Sequence, residues 1–138
     1  MKIKASDKWF SKCVRERTAW TCEHCGTVYP ENSQGLHCSH YFGRRAKAIR
    51  WDPDNAFAHC FSCHQLLGSN PNDFQSWASE RLGSGVIDML IEKRNDTNLA
   101  KALNKAEKEI AAHYKLEYET MLSRRAAGET GRIEFTGY

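Results

Sequence analysis

The spacing of apolar and polar positions divides the chain into three textures. Over residues 7–17, Trp9, Phe10, Cys13 and Val14 recur three and four positions apart, which predicts a short helix capped by Ser6 or Asp7. From about residue 20 to 68 no helical period persists. Short apolar pieces there are interrupted by Gly26, Pro30, Gly35, Gly43 and Pro53, as in a small fold of hairpins and loops. Past Gly68 helical spacing returns. Asn70-Pro71-Asn72-Asp73 reads as a turn entering a helix that carries Phe74, Trp77, Ala78 and Leu82 on one face. Gly83-Ser84-Gly85 breaks it, and Val86, Ile87, Leu90 and Ile91 mark a second short helix ending near Asn95.

The longest periodic stretch runs from Thr97 to Ala127. Leu99, Leu103, Ala106, Ile110, Tyr114, Tyr118, Met121 and Leu122 form one stripe among Lys and Glu, which predicts a single amphipathic helix of roughly eight turns. Its stripe can pack on its own domain or pair with a second copy through a coiled-coil-like seam. From Gly128 onward a flexible tail is expected. The expected organisation is thus a domain over 1–95, the long helix over 96–127 and the tail over 128–138.

Cysteine usage sharpens this outline. The 138-residue chain has six cysteines, and its first residues lack the apolar stretch of a secretory signal. A soluble cytoplasmic protein is the resulting expectation, and in that compartment paired cysteines bind metal more often than they form disulfides. No stretch is apolar enough to span a bilayer. Cys22-Glu-His-Cys25 and Cys60-Phe-Ser-Cys63 are two CxxC pairs separated by 34 residues. Four thiolates at this spacing predict a closed, structural zinc site, whereas a redox dithiol needs a βαβ setting that is missing here. Cys13 reads as a small core residue. Cys38 lies among histidines; a structural role is favoured, with a reactive one left open.

Charge adds a modest asymmetry. Residues 1–70 carry ten Lys/Arg against six Asp/Glu, and residues 71–138 carry ten against eleven. The basic excess lies on the half that also holds the cysteine pairs, as expected where a chain meets phosphate.

A second constellation lies between the cysteine pairs: Leu36-His-Cys-Ser-His-Tyr-Phe-Gly-Arg-Arg45, then Arg50-Trp-Asp-Pro-Asp-Asn55, then Cys60-Phe-Ser-Cys-His64. This order of His, Asn and His resembles the HNH (ββα-metal) nuclease motif, in which two strands and a helix clasp one divalent cation. The resemblance implies an α+β fold: a zinc-stapled ββα-metal core with flanking helices and the long C-terminal helix. Phosphodiester hydrolysis needs a base for water and a cation to offset charge on the phosphate. His40 is the candidate base, since imidazole takes a proton near neutral pH. Asn55 is expected to orient that ring or to brace the loop presenting it, and His64 to ligate the cation. Many members carry a ligating Asp immediately before the base, where this chain has Ser39. His37 is expected on the same strand face and can replace it. Mg²⁺ or Mn²⁺ is the expected catalytic cation, with imidazole-rich ligation favouring Mn²⁺, Ni²⁺ or Zn²⁺.

The fuller string, with Arg-Trp-Asp-Pro-Asp-Asn and Cys-x-x-Cys-His over residues 20–80, is similar to the NinG (Rap) recombination proteins of lambda-like phages. That resemblance implies a structure-selective endonuclease acting on D-loops and Holliday junctions, working in a host-cell cytoplasm with other recombination proteins as candidate partners. Arg44, Arg45, Lys47 and Arg50 follow the candidate base and are the expected phosphate contacts. A homodimer is expected, because two strands must be cut together and the long helix offers a seam. The rival reading is a non-catalytic zinc-ribbon module that binds DNA or a recombination protein.

Overall fold

Two five-residue strands, β1 (Leu36–His40) and β2 (Ala56–Cys60), form the one sheet of the computed structural model, which describes residues 1–138. They pair antiparallel, with Leu36 opposite Cys60 and His40 opposite Ala56. Six helices surround them: α1 (Ala5–Arg17), α2 (Phe61–Ser69), α3 (Pro71–Leu82), α4 (Ser84–Arg94), α5 (Thr97–Lys105) and α6 (Glu107–Ala126). The architecture is α+β.

The period of a strand puts alternate residues on opposite faces, and here each face has its own apolar cover. Cys38 and Ala56 meet Phe10, Cys13 and Val14 of α1, backed by Ile110, Tyr114, Tyr118 and Met121 of α6. Phe57, on the other face, packs with Leu67, Phe74, Ala78 and Ile87 from α2, α3 and α4. At one end of the sheet, Leu36, Ala58, Cys60 and Cys63 join Trp20 and Cys22 in a third cluster.

Three expectations change. Helix α1 begins at Ala5, and neither Ser6 nor Asp7 is its N-cap; Lys4 holds that place. Asp7 instead accepts the Lys4 amide from inside the first turn, at 2.8 Å. The helix expected over 97–127 is two helices, broken at Ala106, whose amide reaches both the Ala102 and the Leu103 carbonyls. Alanine is no helix breaker, so packing sets this bend. The turn lets Leu99 and Leu103 line a hollow with Ala48 and Trp51, while Ile110, Tyr114, Tyr118 and Met121 lie buried in the shared core. The apolar stripe proposed for dimerisation is therefore consumed within the chain.

The tail is not loose. Ile133 and Phe135 are buried, the Ile133 amide donates to the Arg17 carbonyl at 3.0 Å, and the Arg17 guanidinium lies 5.2 Å from the Phe135 ring. Two apolar side chains two residues apart suffice to tie a short extended segment onto a core. No helix is long and apolar enough to cross a membrane.

Candidate metal centre and histidine cleft

The first CxxC pair lies on a tight knuckle. Thr21 bridges Val28, the Cys22 amide donates to the Thr27 carbonyl, and the Gly26 amide returns to the Cys22 carbonyl, each at 2.9 Å. Gly26 takes φ +79°, a left-handed turn that glycine adopts without strain. Cys60 ends β2, and Cys63 lies one turn into α2. All four Sγ atoms come within 4.8 Å of one another, and Cys25 and Cys60 are 3.8 Å apart. Tetrahedral zinc with Zn–S bonds of about 2.3 Å requires S···S edges of about 3.8 Å. The residues fit the ion. None of the six cysteines is in a disulfide.

Glu23 docks the knuckle on the sheet. Its amide donates to the Ala58 carbonyl, and the Ala58 amide donates to its carboxylate, both at 2.8 Å. The outer edge of β2 is thus paired, leaving β1 as the free edge.

Along that free edge runs a cleft of about 640 Å³, bordered by His37, His40 and His64 and by Lys8, Arg15 and Arg44. His37 and Ser39 share a strand face, as the period predicts, but only His37 meets His64, with ring centroids 5.5 Å apart. Ser39 is buried. The His64 Nδ1 is buried and has no hydrogen-bond partner, and burial beside His37 pushes its pKa down. These are two nitrogen donors with no carboxylate joining them; the cysteine set is the one group of three or more side chains gathered for a metal. Imidazole pairs suit Mn²⁺, Ni²⁺ or Zn²⁺ better than Mg²⁺, which prefers oxygen.

His40 Nε2 lies 2.9 Å from the Arg50 carbonyl oxygen. A carbonyl can only accept, so Nε2 carries the hydrogen and Nδ1 is left with its lone pair. Burial pushes the pKa of His40 down to about 4, against a partial rise from the Arg50 carbonyl. Asn55 does not touch this ring. Fully buried, it accepts the Phe42 amide at 2.8 Å and donates to the Phe42 and Ile49 carbonyls at 2.8 and 3.0 Å. Of the two roles expected for it, loop brace is the one its bonds serve.

The expected phosphate contacts divide. Arg44 borders the cleft, while Arg45 and Lys47 are exposed on the following loop. Arg50 is no surface cation. It is 2% exposed and clamps Asp7 through Nε at 2.8 Å, while Trp51 donates to the same carboxylate at 3.1 Å. Burial raises the Asp7 pKa, but Arg50 and the Lys4 amide outweigh it and hold the carboxyl below its ordinary range. Arg50 therefore joins α1 to the loop that carries the His40 acceptor. Cys13, fully buried, donates to the Tyr114 carbonyl at 3.3 Å and is a core thiol, whereas Cys38 is half-buried and borders the histidine cleft, with burial pushing its thiol up to about 12.

Sequence reasoning passed over Lys8 and Arg15, which line the cleft from α1, and His24, whose Nδ1 lies 3.3 Å from Cys63 Sγ. The first two were detectable: residues 8, 12 and 15 fall on one side of the α1 period. No family model, curated protein or solved structure matches the chain.

Proposed function

We propose that this protein is a metal-dependent DNA endonuclease of the HNH type that hydrolyses phosphodiester bonds, with branched recombination intermediates as its substrate class. The observation that carries the reading is His40: its Nε2 hydrogen is committed to the Arg50 carbonyl, so Nδ1 is free to act in a cleft shared with His37 and His64. Nδ1 takes the proton of a water as that water's oxygen adds to phosphorus; the bond to the leaving oxygen breaks, and that oxygen is reprotonated from solvent. His37 and His64 are the proposed ligands of a cation that supplies charge neutralisation at the phosphate. Asn55 fixes the loop from Phe42 to Ile49 and so holds the His40 acceptor in place. Burial makes His40 a weak base, and the negative charge of a bound phosphate acts to raise the pKa of its imidazole.

The alternative is a non-catalytic zinc-ribbon module binding DNA or a recombination protein. One observation favours it: no third metal-ligating side chain accompanies His37 and His64. Incubation of wild type and His40→Ala with supercoiled and four-way-junction DNA, in Mg²⁺ or Mn²⁺, decides between them. Cleavage by wild type but not by His40→Ala supports the enzyme. No cleavage by wild type with any cation supports the binding module.

A further inference from the structure

Helix α1 gathers positive charge in an unusual way. The ammonium groups of Lys8 and Lys12 each lie 5.4 Å from the centre of the half-buried Trp9 ring, and that of Lys115, from α6, lies 5.8 Å from it. Lys12 is also 5.3 Å from the Tyr118 ring, which packs beside Trp9. None of the three lysines is in an ion pair, and neither is Arg44, whereas the Arg15 guanidinium is held by the Ser11 and Leu36 carbonyls and the Trp20 ring. An aromatic face attracts a cation by about 0.5–1 kcal/mol at an exposed site, which holds each ammonium there with no ion pair to offset their mutual repulsion, Glu31 instead accepting the Tyr118 hydroxyl at 3.0 Å. A polyanion laid across them would relieve it.

Position gives that polyanion a direction. Lys8 belongs both to the Trp9 cluster and to the wall of the histidine cleft. Lys8 and Lys12 are one helical turn apart, about 6 Å along the axis, a step comparable with that between successive phosphates of one strand. Asp7, the one carboxylate bordering the cleft, is neutralised by Arg50. We infer that the α1 ridge formed by Lys8, Lys12 and Lys115 around Trp9, continued by Arg44, is the track on which a DNA backbone lies as it enters the histidine cleft. This track rests on the nuclease reading for its purpose but not for its existence. The phosphate contacts expected at the loop cations Arg44, Arg45 and Lys47 thus extend onto α1. Contacts of this kind position a backbone without reading sequence.

Binding separates the track from the chemistry. The zinc-loaded full chain is titrated into a fluorescein-labelled 20-base-pair duplex, with no added divalent cation, and anisotropy is read from low to moderate salt. Lys8→Gln/Lys12→Gln keeps helix propensity while removing two charges. Lys101→Gln/Lys105→Gln, on exposed positions of α5, removes the same net charge elsewhere. Each phosphate contact contributes about 0.9 to the slope of log K against log salt, so the α1 pair should lose roughly 50-fold in affinity at 0.1 M salt and flatten the slope by about 2. The α5 pair should stay within about threefold of wild type, and thermal melts should confirm that both variants fold. Equal weakening by both pairs, or no weakening by the α1 pair, overturns the track, as does wild type that fails to bind duplex at low salt. Binding that follows the α1 prediction in a protein that cleaves nothing keeps the track and removes the nuclease.

Discussion

Two clefts of similar size flank the four-cysteine cluster, and their charges are organised in opposite ways. The histidine cleft, about 640 Å³, has Lys8 and Arg44 without carboxylate partners, its Arg15 being held by the Ser11 and Leu36 carbonyls. The second, about 570 Å³, is lined by Arg17, Arg81 and Arg132 together with Glu23, Asp54 and Glu134. There Arg81 and Arg132 both donate to Glu23, at 2.9 and 3.2 Å, and Arg132 also pairs with Glu134. Arg17 spends its guanidinium on the Pro53 and Ala56 carbonyls. Cations satisfied within the chain have little left for a ligand. Number of arginines is therefore a poor guide to binding, and pairing is a better one.

Both clefts grow from the same root. Glu23 lies between the first two cysteines, and His64 follows the last. Loss of the metal should erase both clefts at once: Cys60→Ser, or removal of zinc by a strong chelator, is expected to abolish the cooperative thermal transition, since metal binding at such sites is folding free energy. A retained transition would show that the hairpin stands without its staple.

The next effects separate the clefts. His40→Ala should lower cleavage by about 10²–10⁴, the range for a lost general base, while the near-ultraviolet circular dichroism of the core persists. Asn55→Ala leaves the Phe42 amide and two carbonyls without partners, and should cost roughly 2–4 kcal/mol in urea unfolding as well as slowing cleavage. Glu23→Gln is the counterpart in the second cleft. It keeps an acceptor for Ala58 but removes the charge of a buried carboxylate paired with two half-exposed arginines, so it should cost about 1–3 kcal/mol and leave cleavage unchanged. A large loss of cleavage in Glu23→Gln would show that the two clefts are coupled.

Acidity gives the remaining contrast. His40 is held neutral, with a folded pKa of about 4 against the ordinary 6.5. The unfolded chain then binds the extra proton first as pH falls. The stability this residue contributes is complete above about pH 6.5 and is progressively lost down to about pH 4. Wild type should lose more unfolding free energy than His40→Asn between pH 7 and pH 4.5, by an amount on the order of 2–3 kcal/mol. Equal losses would place the His40 pKa near its ordinary value.

Local pattern accounted for much of this molecule. The helical periods of α1, α3 and α4 are set by residues three and four apart, and Gly83 breaks the chain where the turn occurs. The CxxC spacing foretold a cluster of four thiols, because a two-residue spacer turns both sulfurs of a pair inward. Strand alternation placed His37 and Ser39 on one face, although which of them meets His64 depended on α2.

What sequence could not supply was decided by contacts distant along the chain. Ala106 interrupts a good helix because two different surfaces await its halves. Ile133 and Phe135 find a core whose walls come from residues 10 to 121. Arg50 has the composition of a phosphate contact and becomes a buried clamp only because Asp7, 43 residues earlier, is brought beside it. Lys115 joins Lys8 and Lys12 at one ring for the same reason. A sequence determines periods and ligand spacings, since these act over a few residues. Which charges meet a partner and which stay open to a ligand is settled by the packing of distant segments.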